Sequence, residues 1–156
     1  MAQLKEGMKA PDFLLPSNSG KRVSLKDFKN KERVVLYFYP KDDTPGCTKE
    51  ACGFRDQQKN FRSQNAVVLG VSPDSVDSHN RFIEKFKLPF VLLSDESKEM
   101  LQKYSVWKEK SLYGRKYMGV ERTTLIIDKT GKIYKIFKKV KVEGHVEEVV
   151  EALKTL

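Results

Sequence analysis

The sequence predicts an α/β domain in which a mixed central sheet carries helices on both faces. Two observations lead to this prediction. Two runs of mostly apolar residues, 33–39 and 66–71, have the composition of strands that are buried on both faces of a sheet. Each run is followed by a segment with helical apolar spacing, so strands and helices alternate along the chain.

The individual elements follow from apolar spacing and from turn residues. In chain order they are strand 33–39, helix 45–64, strand 66–71, helix 75–86, strand 90–93, helix 97–104, an irregular loop 107–119, strand 123–127, strand 132–138 and helix 144–156. Pro40 and Pro73 end the two buried strands, because proline cannot continue a strand ladder. The turn 128–131 is short and ends in Gly, which suits an antiparallel hairpin.

The order of these elements is that of the thioredoxin fold, with a β-α-β unit first and then a hairpin and a terminal helix. Residues 1–30 are predicted to extend this fold at its N-terminus, and an inserted middle segment enlarges it. A length of 156 residues suits one hydrophobic core, so residues 1–156 are predicted to form a single domain.

Composition and charge narrow the functional classes. No apolar run approaches the roughly 20 residues that span a bilayer, and residues 1–11 lack the apolar stretch of a secretory signal. We therefore expect a cytoplasmic protein without a membrane partner. The net charge is +9, and its densest segment, 132–141, alternates lysines with apolar residues as the exposed face of a strand does. We therefore expect no nucleic-acid partner.

The chain has two cysteines, Cys47 and Cys52. A lasting structural disulfide is not expected in a reducing cytosol, where a close pair is more often redox-active or metal-binding. A metal site needs three or four ligands, whereas the two histidines, His79 and His145, are far apart in polar sequence settings. We expect neither a metal nor another cofactor. A thioredoxin-type dithiol has two residues between its cysteines, and here there are four.

The segment 40–52 connects the first buried strand to its helix. Ligands of open α/β sheets bind outside the carboxyl ends of the strands, so this location favours function. Thr44 is a good N-cap and Pro45 suits the first helical position, which places Cys47 in the first turn. The free N–H groups and the positive dipole end of that turn favour an anion, so we expect the thiolate form of Cys47 to be stabilised there.

The spacing of the cysteines argues against a static disulfide. Five residues along an ideal helix separate the Cα atoms by roughly 8.7 Å, whereas a disulfide needs them within about 7 Å. Cys47, Ala51, Phe54 and Phe61 fall within one stripe that is predicted to face the sheet, and Cys52 lies off it. A bond between the two cysteines therefore requires local unwinding of the helix.

The motif Pro40-x-x-x-Thr44-x-x-Cys47 resembles the active-site motif of the peroxiredoxins. The longer run 39–52 is similar to the peroxiredoxin Q subgroup, also called bacterioferritin comigratory protein. The resemblance extends over nearly the whole chain and includes the segments 7–13, 71–75, 113–119 and 122–128.

The resemblance implies a thiol peroxidase that reduces hydrogen peroxide and organic hydroperoxides. It implies that Cys47 is oxidised to a sulfenic acid and that Cys52 resolves it as an intramolecular disulfide. A thioredoxin-like reductant would then restore both thiols, and the subgroup favours a monomer. The resemblance also implies that Thr44 orients the peroxide, that Arg122 stabilises charge and that Pro40 shields the pocket. Nothing in the spacing places Arg122 near Cys47, and as a residue type it also fits a solvated strand.

Two other functions remain open from the sequence. The same cysteines would serve a thiol redox sensor or disulfide-exchange protein, which would react slowly with peroxide. A noncatalytic basic binding module would keep its activity without Cys47 and would bind nucleic acid with a steep salt dependence.

Overall fold

A computed structural model describes residues 3–156 of the chain. The elements in this part are β1 (Leu14–Pro16), β2 (Arg22–Ser24), a 3-10 helix (Leu25–Phe28), β3 (Arg33–Phe38), α1 (Pro45–Asp56), α2 (Gln58–Ser63), β4 (Ala66–Ser72), α3 (Val76–Phe86), β5 (Val91–Ser94), α4 (Glu99–Lys103), β6 (Trp107–Leu112), β7 (Arg115–Val120), β8 (Thr123–Ile127), β9 (Ile133–Phe137) and α5 (His145–Lys154). None of these helices has both the length and the apolar composition that crossing a bilayer requires.

The central sheet has five strands in the order β5-β4-β3-β8-β9. Strands β3, β4 and β5 run parallel, while β8 is antiparallel to β3 and β9 is antiparallel to β8. Parallel neighbours need a crossover, which α1 and α2 supply between β3 and β4, and α3 supplies between β4 and β5. The mixed sheet predicted from the sequence is therefore confirmed.

Both faces of the sheet are covered. Strand β3 shows this directly, because Val35 and Tyr37 enter one core cluster while Val34 and Leu36 enter the other. The first cluster holds buried side chains of α1, α2, α3 and α5. The second holds those of α4 and of the N-terminal segment, including Phe13. The predicted helices on both faces are confirmed, and the N-terminal extension packs into the second cluster.

The segment 107–119, predicted as an irregular loop, is instead part of an antiparallel hairpin of β6 and β7. Its two-residue turn consists of Tyr113 and Gly114, both with positive φ, of 52° and 78°. A turn with two such residues matches the twist of antiparallel strands. The prediction was wrong because the hairpin is largely exposed and lacks the alternation of polar and apolar residues that identifies a half-buried strand.

The helix predicted over 45–64 is also interrupted. It ends at Asp56, and α2 begins at Gln58. The Gln57 N–H donates to the Phe54 carbonyl at 3.2 Å, a three-residue bond that tightens the last turn of α1. No Pro or Gly marks this break, so the sequence carries no conventional signal for it.

Replacing Gly70 with Ala is expected to destabilise the protein by about 1–3 kcal/mol. Gly70 is buried in β4, and an added Cβ would lie 2.7 Å from Leu92 Cδ2 and 2.9 Å from Tyr37 Cζ. Urea unfolding would measure the change, with Ser111→Ala on the exposed hairpin as a control that stays within about 0.5 kcal/mol. Equal stability of Gly70→Ala and the wild type would contradict the close packing described here.

Candidate active site

The loop after β3 delivers Cys47 to the carboxyl end of the central sheet. Helix α1 begins at Pro45, as the sequence predicts, with Thr44 in an extended backbone conformation at the N-cap. The Thr44 hydroxyl does not cap the helix, because it donates to the Lys41 carbonyl oxygen at 2.9 Å. Cys47 is the third residue of α1 and only 2% exposed.

A buried hydrogen-bond network fixes this loop through Asp42. The Tyr39 hydroxyl donates to Asp42 Oδ1 at 2.5 Å, and the Ser78 hydroxyl donates to Asp42 Oδ2 at 2.7 Å. His79 Nδ1 also lies 2.7 Å from Oδ2, and its Nε2 lies 3.0 Å from the Leu93 carbonyl oxygen. Each His79 nitrogen thus faces an oxygen, of Asp42 on one side and of Leu93 on the other, and these two contacts hold the ring in place.

The two histidines lie in polar stretches of the sequence, but both side chains are buried. His79 is fully buried, and His145 is 3% exposed, between Thr124 Oγ1 at 2.8 Å from Nε2 and Glu148 Oε1 at 3.3 Å from Nδ1. Burial lowers the pKa of His145 below its ordinary value, against the opposing effect of Glu148. The polar residues around each histidine in the sequence did not reveal this burial, because each ring is buried together with its own polar partners.

The side chains of Asp42, Asp74 and His79 lie close enough to surround a metal ion, with ligand atoms within 4.8 Å of one another. Their polar atoms already serve the loop network. Asp74 Oδ2 accepts from the Asp42 N–H and from the Ser72 hydroxyl, each at 2.8 Å. We therefore interpret this cluster as a structural network that holds the loop.

Arg122 lies directly against Cys47. Its Nη2 donates to Cys47 Sγ at 3.3 Å, and an added Cβ on Gly46 would lie 3.4 Å from the same nitrogen. The strand register explains this position, since Phe38 at the end of β3 pairs with Thr123 at the start of β8. Arg122, one residue earlier, thus emerges where β3 leads into the α1 loop.

The second partner of Arg122 is a buried carboxylate. Arg122 Nη1 donates to Glu50 Oε1 at 2.6 Å, and Glu50 is fully buried, whereas the Arg122 side chain is 16% exposed. Glu50 Oε2 accepts no hydrogen bond from residues 3–156. The guanidinium therefore bridges the thiol and the carboxylate, and within residues 3–156 it is the one cation in an ion pair with Glu50.

Burial and charge shift the titration of this site. Burial raises the pKa of Glu50 to about 7, against the opposing positive charge and hydrogen bond of Arg122. Burial opposes the charge of Arg122 as well, but Glu50 and Cys47 outweigh it, so the pKa of Arg122 is raised. The pKa of Lys110 on the hairpin is lowered, first by burial and then by the charge of Arg122. The Cys47 sulfur is thus surrounded by largely buried side chains, with the guanidinium of Arg122 directly beside it.

Sequence reasoning assigned no chemistry to Glu50. A signal was available, because Glu50 is three residues after Cys47 and such residues share a helix face. The residues predicted to form the stripe that faces the sheet, Cys47, Ala51, Phe54 and Phe61, are all buried. Cys52 is half-buried, and both cysteines are free thiols within the continuous helix α1.

Replacing Glu50 with Gln is expected to change the pH dependence of stability. A raised pKa means that the folded state binds more protons than the unfolded state between the ordinary value of 4.5 and about 7. Glu50 therefore makes the wild type lose stability as pH rises through this window. Relative to the wild type, Glu50→Gln should gain about 3 kcal/mol between pH 4.5 and 7.5. Urea unfolding across this range would measure it, and parallel pH profiles would contradict it.

Comparison with known proteins places this site in a family. The family model described as AhpC/TSA matches residues 7–136. The chain belongs to this family, the peroxiredoxins. A putative peroxiredoxin bcp of Coxiella burnetii is 53% identical over 96% of this chain and 99% of its own. Peroxiredoxin Bcp of Bacillus subtilis is 50% identical over 96% and 95% of the two chains.

A solved structure extends the comparison to the fold. The Xanthomonas campestris bacterioferritin comigratory protein, studied for its alkyl peroxide reduction activity, superposes with a TM-score of 0.87. It is 38% identical, and the match covers 92% of this chain and 90% of that one. The resemblance to the peroxiredoxin Q subgroup and the thioredoxin-like fold predicted from the sequence are both confirmed.

Proposed function

We propose that this peroxiredoxin reduces hydrogen peroxide and organic hydroperoxides with Cys47 as the attacking thiolate. The observation that carries the proposal is the 3.3 Å contact between Arg122 Nη2 and Cys47 Sγ in the first turn of α1. A fixed guanidinium and a helix N-terminus both favour a negative sulfur. The alkyl peroxide reduction activity studied in the Xanthomonas relative supports the same substrate class.

The first step forms a sulfur–oxygen bond. The Cys47 thiolate attacks one peroxide oxygen and the O–O bond breaks, so the sulfur is oxidised by two electrons to a sulfenate or sulfenic acid. The other oxygen leaves as alkoxide or hydroxide and takes up a proton to become alcohol or water. Arg122 stabilises the charge that develops on the two oxygens.

Two residues of the same loop are proposed to shape the pocket. The Thr44 hydroxyl donates its hydrogen bond to the Lys41 carbonyl. Its oxygen can therefore accept a hydrogen bond from the peroxide O–H. Pro40 has no N–H group and is half-buried at the start of the loop. It shields the pocket without offering a competing donor.

The second step regenerates the enzyme. The Cys52 thiolate attacks the Cys47 sulfur of the sulfenic acid, an S–S bond forms, and the sulfenic oxygen leaves as water after protonation. A dithiol of the thioredoxin type then reduces the disulfide with two electrons and two protons. Both cysteines belong to one chain, so no partner subunit is required, and we propose a monomer that acts in the reducing cytoplasm.

A coupled assay tests this proposal. The protein would be mixed with thioredoxin, thioredoxin reductase and NADPH, and the reaction would be started with hydrogen peroxide or cumene hydroperoxide. We expect NADPH consumption with both, and peptide mapping after one equivalent of peroxide should recover a Cys47–Cys52 disulfide. A disulfide that forms only over minutes, without turnover, would favour a redox sensor. The absence of any peroxide reaction at Cys47 would overturn the proposal.

A further inference from the structure

The active-site helix α1 is attached to α3 at both of its ends. On the N-terminal side, Asp42 binds Ser78 and His79 near the start of α3, and Asp43 pairs with Lys85 at 2.8 Å. On the C-terminal side, Arg55 Nη1 donates to the Phe86 carbonyl oxygen at 2.7 Å. The turns that contain Cys47 and Cys52 lie between these two attachments.

The guanidinium of Arg55 makes two hydrogen bonds. Phe86 is the last residue of α3, where backbone carbonyls have no partner within the helix, and Arg55 satisfies one of them. The same guanidinium is oriented by a second bond, from Nε to Asp56 Oδ1 at 3.0 Å. A charged donor forms a stronger hydrogen bond to the carbonyl than a neutral side chain would.

The two attachments differ in their exposure. On the N-terminal side, the exposed Asp43–Lys85 pair is backed by the buried Asp42–His79 pair, with side-chain exposures of 4% and 0%. Arg55 is 35% exposed, so water can replace its bond to the Phe86 carbonyl as the helix opens. Opening of α1 therefore proceeds more easily from the Arg55 end, which is also the end that carries Cys52.

The geometry of α1 gives this attachment a consequence for the reaction. The disulfide requires α1 to unwind around Cys52, and Arg55 is three residues further along the same helix. Unwinding that extends to the last turn of α1 moves Arg55 away from α3, and its bond to the Phe86 carbonyl then breaks or stretches. A bond that exists only in the wound helix shifts the equilibrium toward that helix.

We propose that Arg55 is a positioning residue that controls how readily the active-site helix unwinds. This inference rests on the function proposed above. While α1 is wound, the Cys47 sulfenic acid stays out of reach of Cys52 and is open to a second peroxide. That peroxide transfers an oxygen to sulfur, giving sulfinic acid and releasing water or alcohol. Arg55 thus sets the division between disulfide formation and inactivation.

The test compares Arg55→Met with Arg55→Lys. Arg55→Met keeps the aliphatic stem but removes the charge and both hydrogen bonds. We expect its disulfide to form about three- to tenfold faster in quenched-flow mass spectrometry. We also expect the peroxide concentration that inactivates half of the enzyme to rise by a similar factor. Amides 47–52 should exchange faster with deuterium, while the rate of the first reaction with peroxide stays within about twofold of the wild type.

Arg55→Lys separates attachment from charge, because it keeps a cation near Cys52 but loses the two-point contact. An effect in the same direction as Arg55→Met supports the attachment. A slower disulfide in Arg55→Met, with wild-type behaviour in Arg55→Lys, would mean that Arg55 instead activates the Cys52 thiol, and would overturn the proposal. Wild-type rates in both variants would overturn it as well.

Two further variants complete the design. Arg62→Met on α2 is the matched control, since Arg62 is an exposed residue of the same type, and it should behave as the wild type. If Arg55→Met does not fold, Asp56→Asn weakens the anchor of the guanidinium and should give a smaller effect in the same direction. If the proposed peroxidase function itself is wrong, the result differs, because the wild type would then form no Cys47–Cys52 disulfide.

Discussion

Replacing Cys47 with Ser is expected to lower the peroxidase rate by more than about 10³-fold, to the uncatalysed background. The serine hydroxyl stays protonated at neutral pH and is a much weaker nucleophile toward a peroxide oxygen than a thiolate. The contact with Arg122 cannot compensate, because it stabilises a charge that the serine does not develop. The coupled NADPH assay and a direct measurement of peroxide consumption would both show the loss.

Cys52→Ser is the matched control for this prediction. Cys52 is half-buried, and the side-chain hydrogen bonds of Arg122 within residues 3–156 go to Glu50 and Cys47 instead. This variant should consume about one equivalent of peroxide at the wild-type rate and then stop cycling with thioredoxin. Full turnover of Cys47→Ser, or loss of the first reaction in Cys52→Ser, would contradict the assignment of the two cysteines.

Replacing Arg122 with Met is expected to lower kcat/KM for hydrogen peroxide by about 10²–10³-fold. The variant removes the donor 3.3 Å from Cys47 Sγ and the positive charge beside the breaking O–O bond. Arg122→Lys should recover only part of the rate, because an ammonium group cannot bind the thiol and Glu50 with the fixed fork of a guanidinium. Stopped-flow measurement of the first reaction would isolate this step from recycling.

Stability must be separated from catalysis in this experiment. Arg122→Met leaves Glu50 buried without its cation, which is expected to cost about 3–5 kcal/mol. Adding Glu50→Gln to Arg122→Met removes the unpaired carboxylate and should restore much of the stability but none of the rate. Recovery of activity in the double variant would show that Arg122 acts only through the fold. Arg115→Met, on the exposed hairpin, should leave both properties unchanged.

The main elements of the fold could be predicted because their signals are local. Strands β3 and β4 are nearly continuous apolar runs, and α3 and α5 place their apolar residues at helical spacing. The hairpin of β6 and β7 escaped prediction because its strands bury few side chains. The break between α1 and α2 escaped it because neither Pro nor Gly occurs there.

Some features of the candidate site could likewise be predicted from the sequence, and others could not. The sequence by itself determined that Cys47 lies in the first turn of a helix after a buried strand, because Pro45 and the preceding strand are local features. It also determined that Cys52 is too far along that helix for a static disulfide, since this follows from helix geometry alone.

Only the tertiary structure decided what surrounds the sulfur. Arg122 is 75 positions from Cys47 in sequence and reaches it because β8 pairs antiparallel with β3. Glu50 and His79 are polar residues, and both are buried against partners from other elements. Backbone conformation depends on neighbouring residues, whereas burial and charge pairing depend on which distant elements the sheet brings together.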